Sequence, residues 1–241
     1  MLLQSSKSVE AIRNMSRFLN ILEPILLIAI PASLLLCAYF QINNSALLSA
    51  MVAICALVPF FLRFEFQRPK LREIMPIAVL SAIGIAGRIL FAAVPNFKPV
   101  TAITIVAGAS FGRQAGFLVG ALIALCSNIF FGQGPWTPWQ MYAWGLAGYL
   151  AGVFANAGFF KHKPIVFVYG FIISLVYGFI LDSWTLVGFI NPISWGSAIA
   201  IYGAGLTFSL IHAIATVIFL IPVYEPWMKK FERIKQKFGF L

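Results

Sequence analysis

The chain has 241 residues, 61% of them hydrophobic and only 10% charged, against roughly 25% charged in soluble domains. A water-soluble fold of this length cannot hide so much apolar surface, so composition excludes a soluble enzyme or binding module and implies an all-α polytopic membrane protein. The net charge of +10 suggests nucleic acid at first sight, but the placement of that charge along the chain argues against it.

Eight apolar segments follow one another at about 22–40, 45–62, 74–94, 100–111, 115–131, 139–158, 164–181 and 197–222. About twenty mostly polar residues precede the first, and no cleavage-like site follows it, so it is expected to be a retained span. Leu34-Leu35-Leu36-Cys37 lacks the small residue that should precede a lipoprotein cysteine. Cys37, Cys55 and Cys126 all lie inside apolar runs and are expected to be buried hydrophobes without a disulfide framework.

The third segment carries Ala78, Ala82 and Ala86 at a spacing of four, and Arg88, the one basic residue inside a span. An arginine in the outer half of a span snorkels, bonds backbone carbonyls or meets a ligand. The fourth segment is too short to cross a ~30 Å hydrocarbon core. Bounded by Pro99 and Gly112-Arg113, it is expected to be a short helix buried among its neighbours. Gly112, Gly116, Gly120 and Ala124 form a second stripe, with shorter ones at Gly148 and Gly152 and at Gly196, Ala200 and Ala204. Such stripes let helix backbones approach closely. Periodicity alone does not say whether the neighbour is this chain or another.

Between the fifth and sixth segments stands Asn128–Gly145, NIFFGQGPWTPWQMYAWG. An interfacial aromatic belt accounts for tryptophans. It does not account for Gln133, Gln140, Asn96, Asn128 and Asn191 on the same side, nor for a rigid Gly-Pro-Trp-Thr-Pro-Trp turn. Aromatic faces with amide donors suit a large, polar, uncharged ligand. The candidate binding residues are Arg88, Asn96, Gln133, Trp136, Trp139, Gln140, Trp144, Asn191 and Trp195. The last two lie in an expected outer loop, Asp182 to Gly196.

With the N-terminus inside, all of the 17 basic residues except Arg88 and Lys98 fall on the cytoplasmic side, as the positive-inside rule requires. That accounts for the charge without nucleic acid. In the tail, Trp227, Phe231, Ile234 and Phe238 share one helical face among lysines, the pattern of an interfacial helix on the inner leaflet.

Some chemistry is missing. None of the seven acidic residues is expected in mid-span, whereas ion-driven carriers usually need intramembrane carboxylates. Gly108-Ala109-Ser110-Phe111-Gly112 matches G-x-S-x-G but ends an apolar helix instead of forming a strand-to-helix elbow. His162 and His212 are far apart in sequence, and neither is expected on the outer face, so no metal site is expected. There is no Walker A sequence.

From Ile74 to Pro222 the chain resembles the S components of energy-coupling factor transporters, the substrate-capturing membrane subunits of vitamin importers. The resemblance rests on the early alanine stripe and on AGASFGRQAGFLVGALIALCSN; FFGQGPWTPWQM followed by WGLAGYLAG looks like the cobalamin-type branch. It implies a six-helix core, 74–226; the two N-terminal transmembrane helices expected within 1–73 depart from that pattern, and a basic cytoplasmic tail, 227–241, is expected to follow. It implies cobalamin as transported substrate, with no permanently bound cofactor. The partners would be a transmembrane T subunit, docked on Ala78, Ala82 and Ala86, and two cytoplasmic ATPases. The setting would be a prokaryotic plasma membrane with both termini inside. The alternatives are an S component for another vitamin, such as a flavin or a queuosine precursor, and an autonomous secondary carrier. An intramembrane enzyme is disfavoured by the missing catalytic constellation.

Overall fold

A computed structural model describes residues 71–238 throughout and, ahead of them, 21–29, 31–33, 36, 39–40 and scattered positions between 51 and 64. Among the described residues the protein is all-helical. Six helices follow in order, α1 (Leu71–Leu90), α2 (Val100–Phe111), α3 (Arg113–Phe131), α4 (Thr137–Asn156), α5 (Lys163–Phe189) and α6 (Trp195–Phe238). With no water to bond exposed amides, helices are the expected solution for spans this apolar. Four of them, α1, α3, α5 and α6, are long and apolar enough to cross a membrane.

The other two helices are inner ones. At twelve residues, α2 reaches only about 18 Å, and nearly every residue from Val100 to Ser110 is buried, as the short fourth segment implied. The 20-residue α4 is long enough to span, but its Thr, Gln, Trp and Tyr content lowers its hydropathy. Expected as an ordinary span, it is instead the central helix, packed on α2, α3 and α5.

Glycine makes that packing possible. A Cβ on Gly116 or Gly108 would overlap the Gly148 carbonyl, one on Gly148 the Gly116 carbonyl, and one on Gly120 the Trp144 carbonyl. The α3 and α4 stripes therefore face each other inside this chain. Gly112, at φ 91°, turns α2 directly into α3, a conformation that side-chain-bearing residues rarely adopt. Polar pairs tie the remaining helices. Ser174 on α5 donates to Thr216 on α6 at 2.8 Å, and Tyr169 donates to the Ala147 carbonyl at 2.5 Å.

Some of the described helical positions ahead of α1 pack on the same core. Phe60 stacks on Phe117 with centroids 3.6 Å apart, Tyr142 donates to the Leu27 carbonyl at 2.6 Å, and Glu23 lies 3.7 Å from Arg113.

Other expectations differ from the structure: Cys55, expected to be buried, is exposed. The loop expected at Asp182 to Gly196 is mostly helix, because α5 runs on to Phe189 and buries Ser183, Trp184, Leu186 and Val187; only residues 190–194 turn. The tail, expected as an interfacial helix, is the unbroken continuation of α6 through Pro222 and Pro226 to Phe238. Trp227 and Phe231 turn toward the bundle, with Phe231 5.1 Å from Phe111. Glu225 ties the segment down by ion pairs to Lys163 at 2.5 Å and Lys229 at 2.9 Å.

Candidate ligand cavity

A cavity of about 200 Å³ lies toward the tryptophan-rich end of the bundle, opposite the end that carries Arg113, Lys161 and Lys163. Every helix except α2 contributes to its wall. Arg88 comes from α1, Asn96 and Lys98 from the α1–α2 turn, Phe131 from α3, and Gln140 and Trp144 from α4. The α5–α6 side supplies Tyr177, Gly178, Leu181, Asp182, Gly205, Phe208, Ser209 and His212.

Arg88 organises one wall. It is buried, donates to Ser127, and donates to Asn128 Oδ1 at 2.7 Å. Its guanidinium lies 4.6 Å from the Phe131 ring centroid and 5.0 Å from that of Trp144, inside the range of a cation–π contact. Asn128 then donates to Gln140 Oε1 at 2.8 Å and to Thr137 Oγ1 at 2.9 Å. Thr137 donates to Gln133 Oε1 at 2.9 Å, and Gln133 donates to the Leu125 carbonyl at 2.7 Å. The amides of Asn128, Gln133 and Gln140 are thus spent largely on holding Arg88 and the start of α4.

Trp144 and Tyr177 form the aromatic floor, stacked with centroids 4.7 Å apart. His212 meets Tyr177 edge-on at 4.9 Å. Thr101 Oγ1 lies 2.8 Å from His212 Nε2 and accepts from Trp144 Nε1 at 3.1 Å. Lys98 closes the mouth beside Arg88, donating to the carbonyls of Phe91 and, at 2.7 Å, Val94. Burial, and then the neighbouring Arg88 charge, hold its ammonium below the ordinary lysine range.

Of the residues singled out in the sequence, Arg88, Asn96, Gln140 and Trp144 meet at this cavity. Trp139 does not, being wholly buried in the core with its Nε1 unpartnered. Gln133 and Trp136 lie on the exposed turn outside it. Asn191 and Trp195 sit at the α5–α6 tip, with Trp195 87% exposed. Seventeen residues of helix, roughly 25 Å, separate Trp195 from His212.

Sequence reasoning missed Tyr177, Asp182, Ser209 and His212. His212, which sequence reasoning left out of the candidate site, lines the cavity. His212 is the eighteenth residue of α6, yet it shares the cavity wall with Gln140 near the start of α4. The signal available was only that these are among the polar residues of two largely apolar segments.

A family model described as ECF-type riboflavin transporter, S component, matches residues 68–229, about two thirds of the chain. No curated protein and no solved structure matches the chain significantly.

Proposed function

The chain belongs to the S-component family of ECF-type transporters, and on that premise we propose that it captures a flat, ring-bearing vitamin in the cavity around Arg88, Trp144, Tyr177 and His212 for ATP-driven import. S components are substrate-binding membrane subunits and not an enzyme family. The observation that carries the reading is a buried arginine fixed by Ser127 and Asn128 beside a Trp144–Tyr177 aromatic surface. That arrangement offers hydrogen-bond donors to ring carbonyls and a face for stacking.

Riboflavin, the vitamin in the family's description, is the first reading. A space of about 200 Å³ is small even for ligand pockets, which run to roughly 300–1,000 Å³. On this reading a flat ring occupies it and the side chain continues along the cavity edge. Cobalamin is the second reading. Its corrin with peripheral amides is far too bulky to enter and would rest over the mouth. The observation favouring it is the supply of exposed aromatic and amide groups outside the cavity, Gln133, Trp136, Asn191 and Trp195.

Ala78, Ala82 and Ala86 are exposed along α1, which supports docking of a T subunit on that face, with two ATPases completing the importer. The positive-inside rule supports a cytoplasmic position for the lysine-rich end and an outward-facing cavity, in a prokaryotic plasma membrane as the proposal has it.

The test is titration of the purified chain in detergent with riboflavin and with cobalamin, followed by calorimetry and, for the flavin, by quenching of its emission. Saturable riboflavin binding near one-to-one is expected. Cobalamin binding without riboflavin binding would move the assignment to the second reading. Folded protein that binds neither would end the vitamin assignment at this cavity.

A further inference from the structure

The α5–α6 wall of the cavity is built from two reciprocal pairs. Gly178 and Asp182 are four residues apart on α5, and Gly205 and Ser209 four apart on α6, so each pair lies on one helical face. The helices run antiparallel, and Gly178 meets the Ser209 side chain while Gly205 meets the Asp182 carboxylate. A Cβ on either glycine would overlap that polar group. The glycines therefore make room for a hydroxyl and a carboxylate at the cavity edge.

Asp182 is half-buried and has no hydrogen-bond or ion-pair partner among the described residues. The cations at the site are committed elsewhere, Arg88 to Ser127 and Asn128, and Lys98 to backbone carbonyls. An ionisable group inside a membrane span is costly and ordinarily paired. A carboxylate left without a partner, given room by a glycine and facing a ligand cavity, is an acceptor waiting for donors.

Resting on the flavin reading above, we infer that Asp182 is a specificity-determining residue that accepts hydrogen bonds from the hydroxyl-bearing side chain of a neutral vitamin and rejects its phosphorylated form. The ring would lie toward Arg88 and Trp144 and the polyol chain along α5 and α6. A terminal phosphate would be brought against the carboxylate, where like charges at close range in a poorly solvated site repel.

The experiment compares riboflavin with riboflavin 5′-phosphate on the full chain in detergent, by fluorescence titration, for wild type, D182N and G205A. Wild type is expected to prefer riboflavin. In D182N riboflavin should bind about tenfold more weakly, the scale of losing a charged acceptor, while the phosphate ester binds no worse, so the preference collapses. Thermal melting without ligand reports whether D182N folds. G205A keeps the charge but displaces the carboxylate, and should move the preference in the same direction. An unchanged preference in folded D182N, or in G205A if D182N does not fold, overturns the role of Asp182. Wild-type protein that binds neither flavin overturns the flavin reading, and the inference falls with it.

Discussion

Arg88 is the residue on which the site turns. A lone arginine in the hydrocarbon region costs roughly 3 kcal/mol even by insertion measurements. Here it is offset by Ser127, Asn128 and two ring faces. That network locks the guanidinium toward the cavity before any ligand arrives, which reduces the ordering cost of binding. The tryptophans separate the two substrate readings. Trp144 is part of the cavity floor, and Trp136 is on the exposed turn. Under the flavin reading, W144A should weaken binding about tenfold or more through lost stacking, and W136A should leave it unchanged. Parallel titrations of the two variants check this, and a large loss in W136A alone would speak for a bulky ligand over the mouth.

At the scale of elements, the seam between α3 and α4 is the tightest contact. Small residues on both sides bring the backbones together, which in lipid is a main source of helix association. Enlarging Gly116, whose Cβ would strike the Gly148 carbonyl, forces the helices apart because a backbone atom cannot rotate away. G116L is expected to lose at least about 2 kcal/mol of stability. On α6, a Cβ at Gly203 meets nothing within 4 Å. G203L should therefore be neutral or gain up to about 1 kcal/mol from helix propensity. Melting temperatures of the two variants in detergent check the contrast; equal losses would mean that the seam is not where stability resides. The α2 boundaries were legible because Pro99 and Gly112 bracket the segment. The end of α5 was not, because Asp182 and Ser183 look like a loop until Gly205 is seen opposite the carboxylate.

For the whole molecule, the two sides of α1 face different surroundings. Ile77, Leu80, Ser81, Gly84 and Arg88 turn inward, toward the core and the cavity. Ala78, Ala82 and Ala86 turn outward with Met75, Val79 and Ile83. A bulky residue on the outer side leaves the cavity intact while blocking close approach by another helix. A82W is expected to bind vitamin as wild type does and to lose ATP-dependent uptake when co-expressed with a T subunit and ATPases. Undiminished uptake in that variant would remove the docking role from this face.

Composition and hydrophobic periodicity, which belong to each segment by itself, were enough to establish a membrane protein, the order of its helices and the shortness of α2. They were also enough to single out Arg88, Gln140 and Trp144 as polar or aromatic residues of interest. Only the tertiary structure decided which of those residues share a cavity. Trp139 and Trp144 are five residues apart on α4, and at about 100° per residue they point to well-separated sides. Which side meets the core and which meets the cavity depends on where α2, α3 and α5 lie around it. The same holds for Tyr177, Asp182, Ser209 and His212. They are scattered polar groups on two largely apolar helices, and they become a wall only because α5 and α6 pack antiparallel in a register that pairs Gly178 with Ser209 and Gly205 with Asp182. Periodicity specifies the face of a helix, and packing specifies what that face looks at.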